Sequence, residues 1–342
     1  MTTESLTAAD LAAVPDAVVE RLSNARNVLT VCHRDPEADA LGSALATALI
    51  VEQLGGRATP LCADPVPSMY DFLPGMDRFR QAPDPAIAYD LIVVGDCGEL
   101  ERVGAVLTEH AALFASVPIV DIDHHRSNTG FGVVDWIDPD ASATCEMVTL
   151  LAGRMGVPLT AADGMLAANL LAGVVIDTAN FQHPNTTPRT LRVASELRAA
   201  GAPLSDIARR LYRTKPHAQL RLFGLVLARL EHTPDEKVVW STLEPGDLEA
   251  SGASASHSEG LIDLLAHSEP AEVVIVFKDQ GDQTRISVRT REGGVDATVL
   301  TGAYGGGGHM RAAGATLAMP AKEARVQVIA DAERLASLVP PR

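Results

Sequence analysis

The sequence predicts an α/β protein, in which an N-terminal domain with a mainly parallel sheet flanked by helices precedes a smaller C-terminal α/β domain. Short apolar runs alternate with helical stretches through the first 200 residues, as in βαβ units. Beyond residue 236 the pattern becomes strand-rich. The 342 residues also exceed the roughly 250–300 at which a single core stops growing. We therefore expect domains over 1–200 and 236–342, joined by a helical linker over 201–235.

In the first domain, helical spacing predicts a helix over 4–27. Asp39 would lie at or near the N-cap of the next helix, which ends at Gly55. Ser142 and Thr144 are placed to cap a helix through Met155. A helix from about 161 is expected to carry residues 173–181 at its end, and another helix is expected over 188–201. The continuous apolar runs, which we interpret as buried strands, cover 27–32, 58–62, 90–95 and 118–122.

The linker differs in composition from the first domain, because prolines separate short arginine-rich helices there. The second domain then contains helical stretches between its strands and at 321–338. Its expected strands cover 237–243, 272–277, 284–290 and 315–319.

Composition limits the partners of the chain. A net charge of −16, with only four lysines among 28 basic residues, argues against a binder of long duplex nucleic acid. An acidic protein can still bind a short phosphate compound where metals and a few arginines supply positive charge. The apolar runs fall far short of the roughly 20 residues that cross a bilayer, and no signal peptide is recognisable, so we expect a cytoplasmic protein. The four cysteines are widely spaced, which favours buried free thiols.

Four separate apolar runs end in carboxylates or imidazoles. Any one such end is more often a turn or a cap, but four are hard to obtain by chance. The last is the most unusual, because the dipole at a helix C-terminus disfavours a carboxylate unless a cation is near. Mixed histidine and carboxylate donors suit Mn²⁺ or Mg²⁺. The residues concerned are His33 with Glu37 and Asp39, then Asp96, then Asp123, His124 and His125, and finally Asp177.

This set of donors exceeds what one ion needs. Two ions that share a bridging carboxylate would activate a water for in-line attack on phosphorus. In the second domain, the glycine run that contains Gly307 and Gly308 can offer backbone N–H groups to an anion, although a flexible loop is an equal alternative. Arg289 and His309 favour the phosphate interpretation.

Together these motifs resemble the DHH phosphoesterases that carry a C-terminal DHHA1 domain, over nearly the whole chain. Within that family the chain is most similar to the NrnA-like nano-RNases, which also convert 3′-phosphoadenosine 5′-phosphate (pAp) to AMP. The motifs that carry the resemblance are His33 to Ser43, Val94 to Gly98, Asp123 to Asn128, Asp177 to Phe181 and Gly305 to Gly314.

The resemblance implies two divalent cations, Mn²⁺ preferred and Mg²⁺ possible, bridged by Asp96. It implies that His33 and the residue four positions later bind one ion, while Asp39, His124 and Asp177 bind the other. The family usually has Asp at that fourth position, whereas this chain has Glu37, with Asp35 nearby as the alternative ligand.

The remaining family roles concern the substrate. His125 resembles a histidine that supports the metal ligands or faces the phosphate beside the catalytic Asp96, and Arg289, Gly307, Gly308 and His309 resemble phosphate binders. The implied substrates are short oligoribonucleotides and pAp, with pApA or cyclic dinucleotides such as cyclic di-AMP as further candidates. We expect the substrate to lie between the two domains, and the resemblance suggests that the protein is a homodimer. Two alternatives stay open: a RecJ-like single-strand exonuclease, and a nucleotide-binding regulator with a degenerate metal site.

Overall fold

A computed structural model describes residues 6–339, which form two compact units that divide between Thr214 and Lys215. Among the helices of residues 6–339, none has the length and apolar composition of a membrane span. The α-helices of the first unit are α1 (Ala8–Ala12), α2 (Asp16–Asn24), α3 (Ala38–Gln53), α4 (Ala105–Glu109), α5 (Ala111–Ser116), α6 (Thr144–Arg154), α7 (Met165–Asp177), α8 (Pro188–Ala199) and α9 (Leu204–Arg213). Its strands are β1 (Asn27–Val31), β2 (Arg57–Leu61), β3 (Leu91–Gly95), β4 (Ile119–Asp123) and β5 (Val134–Ile137).

The five strands of the first unit form one parallel sheet in the order β2-β1-β3-β4-β5. Helices α3, α6 and α7 pack on one face of this sheet and α4 and α5 on the other. The central strands are buried on both faces, which is why they appear in the sequence as continuous apolar runs. The predicted α/β class and parallel sheet are confirmed. Strand β5 was not predicted, because its four residues form a half-exposed edge without such a run.

The expected helix over 4–27 is instead two helices, α1 and α2. Pro15 is the N-cap residue of α2. Because proline has no backbone N–H, α1 cannot continue through this position with its hydrogen bonds intact. The chain therefore turns between Ala13 and Pro15. The first two residues of the predicted helix lie outside the described range.

The second unit has one mixed six-stranded sheet in the order β10-β11-β9-β8-β7-β6, in which only β7 and β8 are parallel neighbours. Helices α13 and α14 cover one face, whereas α10, α11 and α12 pack on the other face over β7 and β8. Its helices are α10 (His217–Leu227), α11 (Pro245–Ser251), α12 (Leu261–Leu265), α13 (Ala297–Gly302) and α14 (Ala321–Ser337). Its strands are β6 (Glu231–His232), β7 (Val238–Leu243), β8 (Val273–Asp279), β9 (Thr284–Thr290), β10 (Gly307–His309) and β11 (Ala312–Leu317).

A buried ion pair ties α8 to α6 in the first unit. Glu146 is fully buried in α6, and Arg189 donates to its Oε1 while also donating to Asp138 Oδ2 at 2.8 Å. The hydroxyls of Ser142 and Thr190 each donate to Glu146 Oε2 at 2.7 Å. Every oxygen of this carboxylate is therefore satisfied, which is what a buried charge requires.

Removing the arginine should destabilise the fold strongly. We expect Arg189→Ala to lower the free energy of unfolding by about 3–5 kcal/mol, because Glu146 would remain buried without its cation. Denaturant unfolding monitored by circular dichroism measures this difference. Arg154→Ala is the control, since its exposed pair with Asp16 should contribute less than about 1 kcal/mol. Similar losses in the two variants would contradict the assigned importance of the buried pair.

Candidate metal centre

Three neighbouring strands of the parallel sheet are followed by histidine or aspartate. His33 comes two residues after β1, Asp96 directly after β3, and His124 and His125 directly after β4. The strand order reverses between β1 and β3, and the carboxyl edge of such a switch point is where α/β sheets bind ligands. Asp96 has a φ of 58°, a left-handed conformation that is costly for most side chains and recurs at functional sites.

The start of α3 contributes Glu37. This residue is the N-cap, and its carboxylate accepts hydrogen bonds from the N–H groups of Asp39 and Ala40 at 2.7 and 3.0 Å. Its Oε1 also lies 3.6 Å from His33 Nε2. Asp35, the alternative raised by the sequence, is exposed and belongs to none of the histidine–carboxylate groups in residues 6–339.

Asp39 lies in the first turn of α3 and caps a different helix. Its fully buried carboxylate accepts hydrogen bonds from the N–H groups of Thr144 and Cys145, at 2.7 and 2.8 Å, where α6 begins. The expectation that Ser142 or Thr144 caps α6 is wrong, since Ala143 is the N-cap and provides no side-chain acceptor. The Thr144 hydroxyl instead donates to Asp96 Oδ1 at 3.1 Å. The N-terminus of α6 thereby fixes both carboxylates.

The last donor is Asp177, the final residue of α7, so the helix ends before Phe181, where the sequence had placed its end. Asp177 Oδ2 lies 3.1 Å from His124 Nε2. Beyond it, Ala179, Asn180 and Phe181 all have positive φ, between 46° and 63°. Three consecutive left-handed residues cost roughly 1–2 kcal/mol each, so the surrounding fold must stabilise this turn.

Asp96 stands at the centre of these donors. Its Oδ2 lies 3.5 Å from His33 Nε2, while its Oδ1 lies 3.5 Å from His124 Nε2 and 3.6 Å from His125 Nδ1. The two oxygens of one carboxylate therefore face different histidines. The groups whose ligand atoms lie within 4.8 Å of one another are His33 with Glu37 and Asp96, Asp96 with His124 and His125, and Asp39 with His124 and Asp177.

The carboxylates of this cluster crowd negative charge into a buried volume. Burial raises the pKa of Glu37 to about 7 and also raises the pKa values of Asp39 and Asp177, and the charge of Asp96 adds to each shift. Burial would raise the pKa of Asp96 too, but its contacts with His124 and His33 hold it well below its usual range. Asp96 is thus the carboxylate that stays ionised most readily.

The imidazoles respond in the opposite direction. Burial opposes their protonation, yet contacts with Asp96 and Glu37 raise the pKa of His33 to about 10. Contacts with Asp177 and Asp96 likewise outweigh burial and raise the pKa of His124 to about 12. The cluster therefore favours positive charge, which protonated histidines would provide in the absence of metal. Divalent cations would provide it as well, and would leave the imidazole nitrogens free to act as ligands.

His125 is oriented by Asp123, and Asp123 is held in turn by Asn128, a residue of the same sequence motif. The Nδ1 atom of His125 lies 2.7 Å from Asp123 Oδ1, and this contact outweighs burial in raising the pKa of His125. Asn128 Nδ2 donates to both Asp123 Oδ2 and Asp121 Oδ2 at 2.8 Å. Asp121 and Asp123 are both fully buried two residues apart on β4, and two acidic residues inside a buried strand were the available sequence signal.

In the second unit, the register of the sheet places His309, Ala312 and Arg289 in one row across β10, β11 and β9. Directly paired residues project to the same face, so His309 and Arg289 share a face, two strands apart. Arg289 Nε donates to Asp263 Oδ1 at 2.8 Å.

The glycine run in front of His309 is an edge strand in part, since Gly307 and Gly308 pair with Gly314 and Ala313. A Cβ atom on Gly308 would lie 2.5 Å from Ala312 O, so only glycine allows this close approach. Both glycines are exposed. The hairpin presents them together with His309.

Two protein-family models match the chain, one within each unit. Residues 27–174 match the DHH family, N-terminal domain, and residues 235–336 match the DHHA1 domain. The bifunctional oligoribonuclease and PAP phosphatase NrnA of Thermus thermophilus is 34% identical over 285 residues, which cover 83% of this chain and 82% of that protein. The protein of the same name from Bacillus subtilis is 29% identical over 291 residues, covering 83% and 87%.

One solved structure shows the same fold over both units. The crystal structure of an exopolyphosphatase-related protein from Bacteroides fragilis superposes with a TM-score of 0.85. It shares 23% sequence identity and covers 98% of this chain and 99% of that chain. The resemblance to the DHH and DHHA1 domains that the motifs indicated is confirmed.

Proposed function

The chain is a member of the DHH family, and from that membership we propose that it is a two-metal phosphoesterase acting on short oligoribonucleotides and on pAp. The observation that carries the proposal is the position of Asp96, whose two oxygens face His33 on one side and His124 on the other. A carboxylate in this position suits a bridge between two cations, and shared carboxylates are typical of two-metal hydrolytic sites.

The residues of the cluster fit two divalent cations. His33, Glu37 and Asp96 would hold one, and Asp96, Asp39, His124 and Asp177 the other. When bound, such ions lower the pKa of a water and neutralise charge on phosphoryl oxygens. The oxygen-rich donor set, without a thiolate, suits Mn²⁺ or Mg²⁺.

The protein's own groups keep this site ordered. The N-terminus of α6 holds the Asp39 carboxylate in place, and Thr144 holds that of Asp96. Asp123 fixes the ring of His125 through Nδ1, which leaves Nε2 to face a phosphoryl oxygen. His125 would then donate a hydrogen bond to the substrate phosphate.

The second unit supports a short substrate with an anionic end. Arg289 and His309, with Gly307 and Gly308 beside them, would bind a phosphate other than the scissile one. A guanidinium can donate two parallel hydrogen bonds to a phosphate. A loop of glycines alone has no such pair of charged donors. The single-strand exonuclease alternative is disfavoured by the charge of −16, since tracking a long backbone requires a basic groove. The cytoplasmic location and the homodimer stay predictions.

Product analysis tests the proposed function. Purified protein with Mn²⁺, with Mg²⁺ and with EDTA would be incubated with pAp, pApA, cyclic di-AMP and 5′-labelled RNA of two to about ten nucleotides. We expect metal-dependent release of AMP from pAp and degradation of the shortest RNAs first. Tight nucleotide binding without turnover in either metal would favour the regulator alternative, and preference for the longest RNA would favour the exonuclease.

Glu37 should act both as a helix cap and as a metal ligand, and the two roles can be separated. We expect Glu37→Gln to raise the Mn²⁺ concentration for half-maximal activity about tenfold, while the amide oxygen still caps α3. Glu37→Ala should raise this Mn²⁺ concentration similarly and should also lower the free energy of unfolding by about 1 kcal/mol. Glu37→Asp should leave the Mn²⁺ concentration similar or lower it.

Metal titrations of activity and denaturant unfolding, run on the same three variants, measure the two effects. Asp35→Asn is the matched control, because its side chain is exposed and outside the cluster. An unchanged metal requirement in Glu37→Gln and Glu37→Ala would show that Glu37 only caps the helix.

A further inference from the structure

Two further basic residues, Lys278 and Arg285, lie on the sheet face that carries Arg289 and His309. Arg289 and these cations line a cavity of about 310 Å³, at the lower end of the roughly 300–1,000 Å³ of small-molecule sites. On β9, Arg285, Ser287 and Arg289 alternate onto one face, and Lys278 of β8 pairs directly with Arg285. The segment before α12 forms the opposite wall, with Ser258 and Glu259.

Two of the basic residues that line this cavity, the two farthest from His309, form no ion pair with a carboxylate within residues 6–339. They are Lys278, whose Nζ donates to Ser258 Oγ at 2.8 Å, and Arg285. Burial and the neighbouring Arg285 lower the pKa of Lys278, against a smaller opposite effect of Glu259, so the two cations repel each other. On a chain of net charge −16, cations side by side in a concave site favour an anionic ligand.

In the part of the chain that the structure describes, apolar packing by the helices does not extend to β9 on this face, where Asp263 of α12 pairs with Arg289 instead. The apolar cluster on this face joins α10 and α12 to β7 and β8 through residues such as Val239 and Val274. Among the described residues, it includes none from β9, β10 or β11. Arg285 is exposed, and Ser287 and Arg289 are half-buried. A ligand on the His309 row can therefore continue along β9 towards Arg285.

We propose that Lys278, Arg285 and the two serines form a second phosphate subsite, which binds a phosphate farther along an oligonucleotide than the one at Arg289 and His309. The proposal rests on the proposed function for the identity of the substrate. Arg285 lies four residues from Arg289, roughly 13–14 Å along an extended strand. That distance exceeds one phosphate group, so the occupant must belong to another nucleotide unit. Under the proposed function, pAp would use its two phosphates at the metal site and at Arg289, and it would leave the subsite unused.

A double variant tests the subsite. Lys278→Gln with Arg285→Gln removes both charges and keeps polar side chains of similar length. The matched control is Lys322→Gln with Arg334→Gln, which removes the same charge from exposed positions on α14, packed on the other sheet face. Both proteins are compared with wild type on pAp and on the 5′-phosphorylated trinucleotide pApApA, and their melting temperatures are measured.

We expect the subsite variant to lose at least about tenfold in kcat/KM on pApApA and to change less than about twofold on pAp. The slope of log K against log salt for the trinucleotide should fall by about 0.7 for each phosphate that the variant no longer neutralises. The control variant should match wild type in both respects. Equal losses on the two substrates, or none on pApApA, would overturn the subsite.

A binding measurement separates this proposal from the proposed function. Anisotropy of fluorescein-labelled pApApA, titrated with protein in EDTA, requires no turnover. Weaker binding by the subsite variant than by the control supports the subsite, even if the wild-type protein hydrolyses no substrate. In that case only the proposed function fails. Equal binding by the two variants overturns the subsite even if hydrolysis is normal.

Discussion

Asp96→Asn should reduce hydrolysis of every substrate at least about a thousandfold, as expected for a group on which a whole catalytic unit depends. The amide keeps the shape of the side chain and one oxygen, but it cannot carry the negative charge that faces His33 and His124 together. Both proposed cations would lose their shared ligand. Steady-state rates on pAp and on bis-p-nitrophenyl phosphate measure the loss.

Asparagine is the better replacement for a backbone reason. Asp96 has a φ of 58°, and asparagine tolerates this left-handed region while alanine pays roughly 1–2 kcal/mol there. Asp96→Ala should be equally inactive but less stable, so its loss of activity alone proves less. Asp135→Asn, on the neighbouring strand β5 and exposed, is the charge-matched control and should retain full activity. Wild-type turnover by Asp96→Asn in Mn²⁺ would refute the two-metal assignment.

The sheet of the first unit could be predicted because parallel strands covered on both faces are mostly apolar. Runs such as Asn27–Val31 and Leu91–Gly95 show this directly. The three missed strands, which are Val134–Ile137, Glu231–His232 and Gly307–His309, lack that constraint. Val134–Ile137 is a half-exposed edge, and Gly307–His309 has almost no side chains whose alternation could reveal a strand. Its pairing depends on Ala312–Leu317, so only the folded hairpin defines it.

The members of the candidate site were easier to predict than their interactions. His33, Asp96 and His124 each follow a recognisable strand, and strand ends of a parallel sheet meet at one edge. The partner of Asp39 was out of reach, because Thr144 and Cys145 lie more than 100 residues away and contribute backbone N–H groups that any residue has.

The contacts of the side chains that surround the candidate site could not be predicted, for a similar reason. Asn128 bridges Asp121 and Asp123 only because a turn after β4 brings its amide back against the strand. A sequence shows that such residues are polar, but the direction of each hydrogen bond is decided by tertiary packing.

Arg289→Ala and His309→Ala should each lower kcat/KM on pAp and on dinucleotides by roughly a hundredfold, because the terminal phosphate loses a charge-assisted partner. The loss should appear mainly in KM, and the Mn²⁺ requirement should not change. Bis-p-nitrophenyl phosphate has no terminal phosphate to bind, so its hydrolysis should change far less. Arg289→Lys should recover only part of the loss, since an ammonium cannot donate two parallel hydrogen bonds.

The pairing of Arg289 with Asp263 sharpens this test. In the structure, Arg289 Nε donates to the exposed carboxylate of Asp263, and a substrate phosphate would compete with that contact. We therefore expect Asp263→Ala to keep or improve the affinity for pAp, the opposite of Arg289→Ala. A purely structural role for the pair predicts the same loss from both variants. Arg325→Ala, on α14, breaks an ion pair with Glu231 and controls for removal of a surface arginine. If Arg289→Ala and Asp263→Ala lower activity equally on pAp and on bis-p-nitrophenyl phosphate, this face of the sheet supports the fold and does not bind the substrate.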